Sequence, residues 1–160
     1  KLILGCGVPL APAFGKVDFC RIGADMALSW GKKPFSREDV STKHALLNTI
    51  FRRELDGRAF LNDPDVFLLR DNNIKMSFEQ RKLIAETASL FGNLLFVSDD
   101  VSTYNNNQKD CFLNVTTRNK ADINYVNMDS DGDISIKYTL DGEKKGYCFN
   151  INSGDKKILI

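Results

Sequence analysis

Residues 3–25 read ILGCGVPLAPAFGKVDFCRIGAD. Apolar runs at the two ends, 2–6 and 19–22, are separated by a loop rich in glycine and proline, so the segment reads as a buried strand, a loop and a second strand. The second run gives way to Arg21 and Asp25, four apart around a glycine, inside a stretch (17–30, VDFCRIGADMALSW) that is otherwise mostly apolar. Ionic side chains cost several kcal/mol to desolvate unless they are paired or hydrogen-bonded. Arg21 and Asp25 therefore either satisfy each other or serve a ligand.

Moving outward, Ser41 stands where it can cap a helix whose Leu46, Leu47, Ile50 and Phe51 form one apolar stripe. The run AFLNDPDVFLL (59–69) is a short strand interrupted by Pro64. Ser77 with Gln80 three residues on is a capping box, which predicts a helix over 78–91, and LLFV (94–97) is a further buried strand ending in SDD. Alternating strands and helices with polar residues at the strand ends form the pattern of parallel α/β units. From the NNN triplet at 105–107, read as a connector, the pattern changes to period-two alternation: FLNVTT, DINYVN, DISIKYTL, GYCFNIN and KKILI, with SDGD, DGEKK and SGD between the later runs. Asp-Gly turns between alternating runs signal hairpins, so the tail reads as a small antiparallel β unit. The expected organisation is residues 1–106 as one α/β unit and 107–160 as the β domain.

Bulk composition excludes several classes of function. A 42% hydrophobic content permits a packed core, and 22 basic against 21 acidic residues give a net charge of +1, which argues against nucleic acid as a partner. Apolar runs fall short of the roughly 20 residues of a membrane helix. The start at Lys1, without methionine and directly into a strand, reads as cut from something longer. Cys6, Cys20, Cys111 and Cys148 lack CxxC spacing and read as free thiols; with no signal-like N-terminus they point weakly to the cytoplasm. NMDSDGDISIKY (127–138) begins like a calcium-binding loop, but Tyr138 stands at position twelve in place of the bidentate glutamate, so a hairpin turn is the better reading and no metal is expected. His44, the sole histidine, lies on a helix without partner motifs, and Gly5 and Gly7 lack the third glycine of a dinucleotide fingerprint, so no cofactor is expected.

Polar residues collect where the parallel strands end: Cys6 and Gly7, Arg21 and Asp25, Asn62, Asp63 and Asp65, then Ser98, Asp99 and Asp100. In a (β/α)₈ barrel such ends form one rim that carries the catalytic groups. With these residues in this order, ILGCGVPLAPAFGKVDFCRIGAD, FLNDPD and LLFVSDD, the chain resembles the glycoside hydrolase clan of the α-galactosidases (melibiases) and α-N-acetylgalactosaminidases over residues 2–101. The resemblance implies the fifth to eighth strands of a (β/α)₈ barrel followed by the start of a C-terminal β-sandwich. It implies that Asp25, closing the R-x-x-x-D motif with Arg21, is the general acid/base of a retaining hydrolase of terminal α-galactosides. The nucleophilic aspartate would lie upstream, at the end of the fourth strand. An arginine beside an aspartate favours the ionised form, so Arg21 is read as a positioning or substrate-contacting group, with burial and the second catalytic carboxylate favouring the acid.

Further expectations follow from the same resemblance. Cys6 and Gly7 would line the sugar pocket. Asp63 is a candidate substrate contact, though Asp63 and Asp65, flanking Pro64, read better as residues holding loops or neighbouring strands together. A half barrel exposes strand edges, so association with the missing N-terminal half, or an oligomer, is expected, and such a chain alone would be inactive. The alternative from another class is a non-catalytic carbohydrate-binding or accessory module, with Trp30, Tyr104, Tyr125, Tyr138 and Tyr147 available to stack on sugars.

Overall fold

A computed structural model describes residues 1–31 and 41–159. Three short parallel strands open the chain: β1 (Leu4–Gly5), β2 (Phe19–Arg21) and β3 (Leu61–Asp63), ordered β1-β2-β3. Helix α1 (Leu10–Ala13) lies between β1 and β2, and α2 (Thr42–Phe51) between β2 and β3. Pro64 ends β3, and the chain resumes as β4 (Val66–Phe67), which pairs in parallel with β5 (Phe96–Val97) across helix α3 (Phe78–Phe91). The carbonyl of Asn62 accepts the amides of Asn93 at 3.0 Å and Leu94 at 3.3 Å, tying β3 to the lead-in of β5.

Helix α3 has the limits that its capping box predicts: the Ser77 hydroxyl accepts from the Gln80 amide and the Gln80 side chain accepts from the Ser77 amide. Its far end packs so closely that a Cβ on Gly92 would come within 2.7 Å of Pro64. Ser41 is the N-cap of α2 but makes no side-chain capping bond, and Phe51, expected in the apolar stripe, is exposed; Ala45, Leu46, Thr49 and Ile50 form the buried face.

Three expectations need correction. The run 2–6 is an exposed edge: Leu2, Ile3 and Leu4 are 78%, 52% and 39% accessible, because β1 has a strand neighbour only on its β2 side among the described residues. LLFV is half-buried instead of fully buried. The triplet 105–107 and the run FLNVTT are the cap and body of a helix, α4 (Asn106–Thr117), with Asn105 as its N-cap in a second capping box with Gln108. Gln108, Cys111 and Val115 are its buried residues, spaced as one helical face, and that face outweighs the β-branched residues that read as a strand.

The tail is a four-stranded antiparallel sheet in the order β6 (Asp122–Met128), β7 (Asp133–Leu140), β8 (Glu143–Asn150) and β9 (Lys156–Ile158); Ile160 of the run KKILI lies outside the described residues. Asp141 and Gly142 both take positive φ, 54° and 82°, the geometry of the tight hairpin turn that Asp-Gly favours. The sheet shares one apolar core with the first half: Ile134, Ile136, Tyr147 and Phe149 join Leu46, Ile50, Phe67, Leu83, Ile84 and Phe91. The Tyr147 and Thr87 hydroxyls meet at 3.3 Å, and Lys156 pairs with Glu86, pinning the sheet to α3. No described helix is long and apolar enough to cross a membrane.

Candidate functional site

The site is assembled at the carboxyl ends of β1, β2 and β3. The parallel register sets Arg21 directly opposite Asp63, and Cys20 opposite Asn62. Side chains alternate along a strand, so one pair faces each side of the sheet. Cys20 and Asn62 are fully buried on one side, where the Asn62 Nδ2 donates to the Arg52 carbonyl at 3.3 Å. Arg21 and Asp63 meet on the other, with Arg21 Nε donating to Asp63 Oδ2 at 2.8 Å.

Arg21 is the centre of the cluster. Its Nη1 lies 2.8 Å from Asp65 Oδ1 and 3.3 Å from Asp25 Oδ1, so one guanidinium faces three carboxylates. Asp65 lies just past the end of β3 with a φ of 78°, and its carboxylate reaches Arg21 from this turn while Asp63 reaches it from the strand. Asp63 has no accessible side-chain surface, Asp65 has 8% and Arg21 has 12%, whereas Asp25 keeps 70%. Burial alone would lower the Arg21 pKa, but the hydrogen bond and charge of Asp63, with the charges of Asp65 and Cys6, outweigh it and hold the guanidinium above its ordinary value. On the opposite side of the sheet, burial raises the Cys20 thiol, with smaller contributions from Asp63 and Cys6.

The two buried aspartates are saturated. Asp63 Oδ1 accepts the Asp65 amide at 2.8 Å, and Asp65 Oδ2 accepts the Met26 amide at 2.6 Å. The loop from Ile22 to Met26, which carries Asp25, is further fixed by the Ile22 amide on the Asp63 carbonyl at 3.1 Å and by Arg52, which donates to the Ile22 carbonyl. Gly23 fits against helix α2, where an added Cβ would fall 2.9 Å from the Asn48 Cβ.

Set against the sequence expectations, Arg21, Asp25, Asp63 and Asp65 come together, and Cys6, exposed at the end of β1, follows the residue paired with Cys20 and so stands at the same strand ends. Gly7 has a φ of 68°, a left-handed conformation that glycine adopts without penalty, and no atom lies within 4 Å of a Cβ built there. Asp25 is not buried as expected, because the guanidinium turns into the sheet toward Asp63 and Asp65 and leaves the loop carboxylate outside. Asp63 lies behind Arg21 with no surface of its own, which matches the strand-tying role and removes it from direct contact with a ligand in this conformation. Asp65 does hold neighbouring segments together, as expected of the pair flanking Pro64, but its link to the 21–26 loop depends on a left-handed turn after β3 that strand periodicity does not announce.

The Ser98 to Asp100 corner forms a separate network. Asp99 Oδ2 accepts the Leu69 amide at 2.6 Å, the Arg70 amide at 3.0 Å and the Tyr104 hydroxyl at 2.6 Å, while Oδ1 meets Arg70 Nη1 at 2.9 Å. Burial, then the bond and charge of Asp99, push the Tyr104 hydroxyl well above its usual pKa. Asp100 is held below its usual value by the Ser102 hydroxyl and amide, in the manner of a capping residue. Nor do the five aromatic candidates form a stacking platform: Trp30, Tyr104 and Tyr147 are buried, the Trp30 indole donates to the Ile151 carbonyl at 3.0 Å, Tyr138 is half-buried, and of the five Tyr125, 48% accessible, is the exposed one. Residues 127–138 form the β6–β7 hairpin, with Asp129 Oδ1 accepting the amides of Asp131 and Asp133; no cluster of metal-ligating side chains occurs among the described residues. His44 is exposed on α2, and all four cysteines are free thiols.

Parallel βα units with an arginine-centred acidic cluster beyond the strand ends, continued by an antiparallel sheet, give the chain an α-galactosidase-like fold. Two solved structures carry that statement. The α-galactosidase of Thermus thermophilus in complex with p-nitrophenyl α-D-galactopyranoside superposes with a TM-score of 0.68 at 22% identity over 89% of this chain. The α-galactosidase I of Mortierella vinacea does so with a TM-score of 0.61 at 14% identity over 86% of this chain. The chain spans 29% of the first and 38% of the second. No family model matches the sequence.

Proposed function

We propose that residues 1–106 are the C-terminal half of a (β/α)₈ catalytic barrel and 107–160 the start of its β domain, in a retaining glycoside hydrolase that cleaves terminal α-galactosides. Helix α4, packed on α3, then opens the second unit. Asp25 is the acid/base. It protonates the glycosidic oxygen as the bond to the sugar breaks, then takes a proton from the water that releases the sugar. The nucleophile, about 5 Å away in a retaining enzyme, comes from outside these residues. Arg21 orients Asp25 and presents a fixed positive edge to the substrate, with Cys6 and Gly7 lining the approach.

The observation that carries this reading is the division of labour among the three carboxylates on Arg21. Two are buried and saturated by protein donors, and the third, on a fastened loop at the strand ends, is left facing solvent. The exposed β1 edge, with Leu2 and Ile3, would pair with the preceding strand of the barrel, and the limited share of the α-galactosidase structures that this chain spans supports that partner. The test is hydrolysis of an aryl α-galactoside by the full-length protein with and without Asp25→Asn. A loss of roughly 100-fold or more is expected of a general acid/base; full activity in the variant would exclude the assignment.

A further inference from the structure

Asp65 occupies a backbone conformation that its side chain must justify. Its φ is 78°, in the left-handed region where an L-residue pays about 1–2 kcal/mol and glycine does not. Glycine would relieve this strain, yet the position holds an aspartate whose two oxygens are both committed. Oδ1 takes Arg21 Nη1 at 2.8 Å and Oδ2 takes the Met26 amide at 2.6 Å. These two partners flank Asp25 in the chain, so a single carboxylate grips the loop on both sides of the exposed aspartate. Asp63 holds Arg21 and the Asp65 amide but does not reach the far side of the loop through its side chain.

We propose that Asp65 is a positioning residue that sets where the Asp25 carboxyl stands by bracketing the 21–26 loop; its catalytic consequence rests on the hydrolase reading above. The physical reason is geometric. Proton transfer to a glycosidic oxygen needs hydrogen-bond distance, and a displacement of about 1 Å costs on the order of 100-fold in rate. An asparagine at 65 tolerates the left-handed backbone but puts an NH2 donor in place of one of the two oxygens, and because Arg21 and the Met26 amide sit on different oxygens, one of the two then faces a donor.

The experiment uses the full-length protein with Asp65→Asn and, as a second variant without backbone strain, Asp65→Gly. Two readouts are taken: amide exchange of the peptide spanning 21–27, and kcat and KM for an aryl α-galactoside. The expected result is faster exchange in that peptide with the α3 peptides unchanged, a fall in kcat of about 10- to 100-fold with KM within a few-fold, and an Asp25→Asn/Asp65→Asn double variant no slower than Asp25→Asn alone. Unchanged exchange in both variants, or losses that multiply in the double variant, would overturn the positioning role. If exchange rises in the variants while the unmodified protein cleaves no α-galactoside, the loop-fastening role stands and the hydrolase reading falls.

Discussion

Replacing Arg21 by methionine removes, among the described residues, the one positive charge paired with two almost fully buried carboxylates, while keeping a flexible apolar stem in its place. In the structure this deletes the ionic hydrogen bond to Asp63 and the ion pair with Asp65, each at 2.8 Å. Hydrogen bonds to charged groups contribute about 1.5–3 kcal/mol each, and breaking a buried ion pair from one side costs about 3–5 kcal/mol, so the expected loss is about 4 kcal/mol. The contact with Asp25 adds little, because it is longer, at 3.3 Å, and largely solvated. Urea unfolding followed by Trp30 fluorescence reads the change: Trp30 is the single tryptophan of the 160 residues and is buried in the core. With a slope of about 1–3 kcal/mol per molar urea, the midpoint falls by between about 1 and 4 M. Arg21→Lys should lose roughly half as much, because a compact ammonium lacks the fork that reaches both partners. The triple variant Arg21→Met/Asp63→Asn/Asp65→Asn should regain part of the loss, since the unpaired charges leave with their partner. An unfolding free energy for Arg21→Met within about 0.5 kcal/mol of the parent, or no recovery in the triple variant, would refute the claim that Arg21 neutralises this cluster.

Burial pushes the Cys111 thiol up to about 11 from 9.0, so the folded state holds its proton through a range in which the unfolded chain loses it. The resulting stability is fully present below pH 9 and is lost as pH rises toward 11; Cys111→Ala should therefore show a shallower decline of the unfolding midpoint over that range, and parallel curves for the two proteins would contradict the burial. Asp25→Ala should change folding stability by less than about 1 kcal/mol, the scale of an exposed ion pair, and a loss of 3 kcal/mol or more in urea unfolding would mark the Arg21–Asp25 contact as structural (a buried-pair magnitude).

Local chemistry made much of the fold legible, and non-local packing hid the rest. The ends of α3 were readable because Ser77 and Gln80 satisfy each other's backbone partners within one turn, and the β7–β8 hairpin because Asp141 and Gly142 accept positive φ. Both signals act over a few residues. Helix α4 was misread because Val115, Thr116 and Thr117 suit a strand, while the deciding contacts of Cys111 and Val115 lie in a core shared with α3 and the tail sheet. Strand β1 read as buried from its apolar residues alone; burial depends on which neighbours the sheet supplies. At the site, the meeting of Arg21 with Asp63 followed from strand ends converging, but the direction in which the guanidinium turned was invisible in the sequence, and that direction decides which aspartate faces solvent.

The opening alternatives for Arg21 and Asp25, mutual satisfaction or service to a ligand, are separated by counting partners. A buried guanidinium requires compensation, and Asp63 and Asp65 supply it with shorter ionic contacts and far less exposure than Asp25. Asp25 is therefore surplus to the neutralisation of Arg21. The loop that carries it is nonetheless fastened at Ile22 through Asp63 and Arg52 and at Met26 through Asp65. Ordering backbone costs about 1–2 kcal/mol per residue, and here that cost maintains the position of a side chain the fold does not need for its own charge balance. Among the described residues the Asp25 carboxylate meets only Arg21, at 3.3 Å, and on the proposed reading an exposed, lightly held acid on a fixed backbone is what proton transfer to a bound substrate would use.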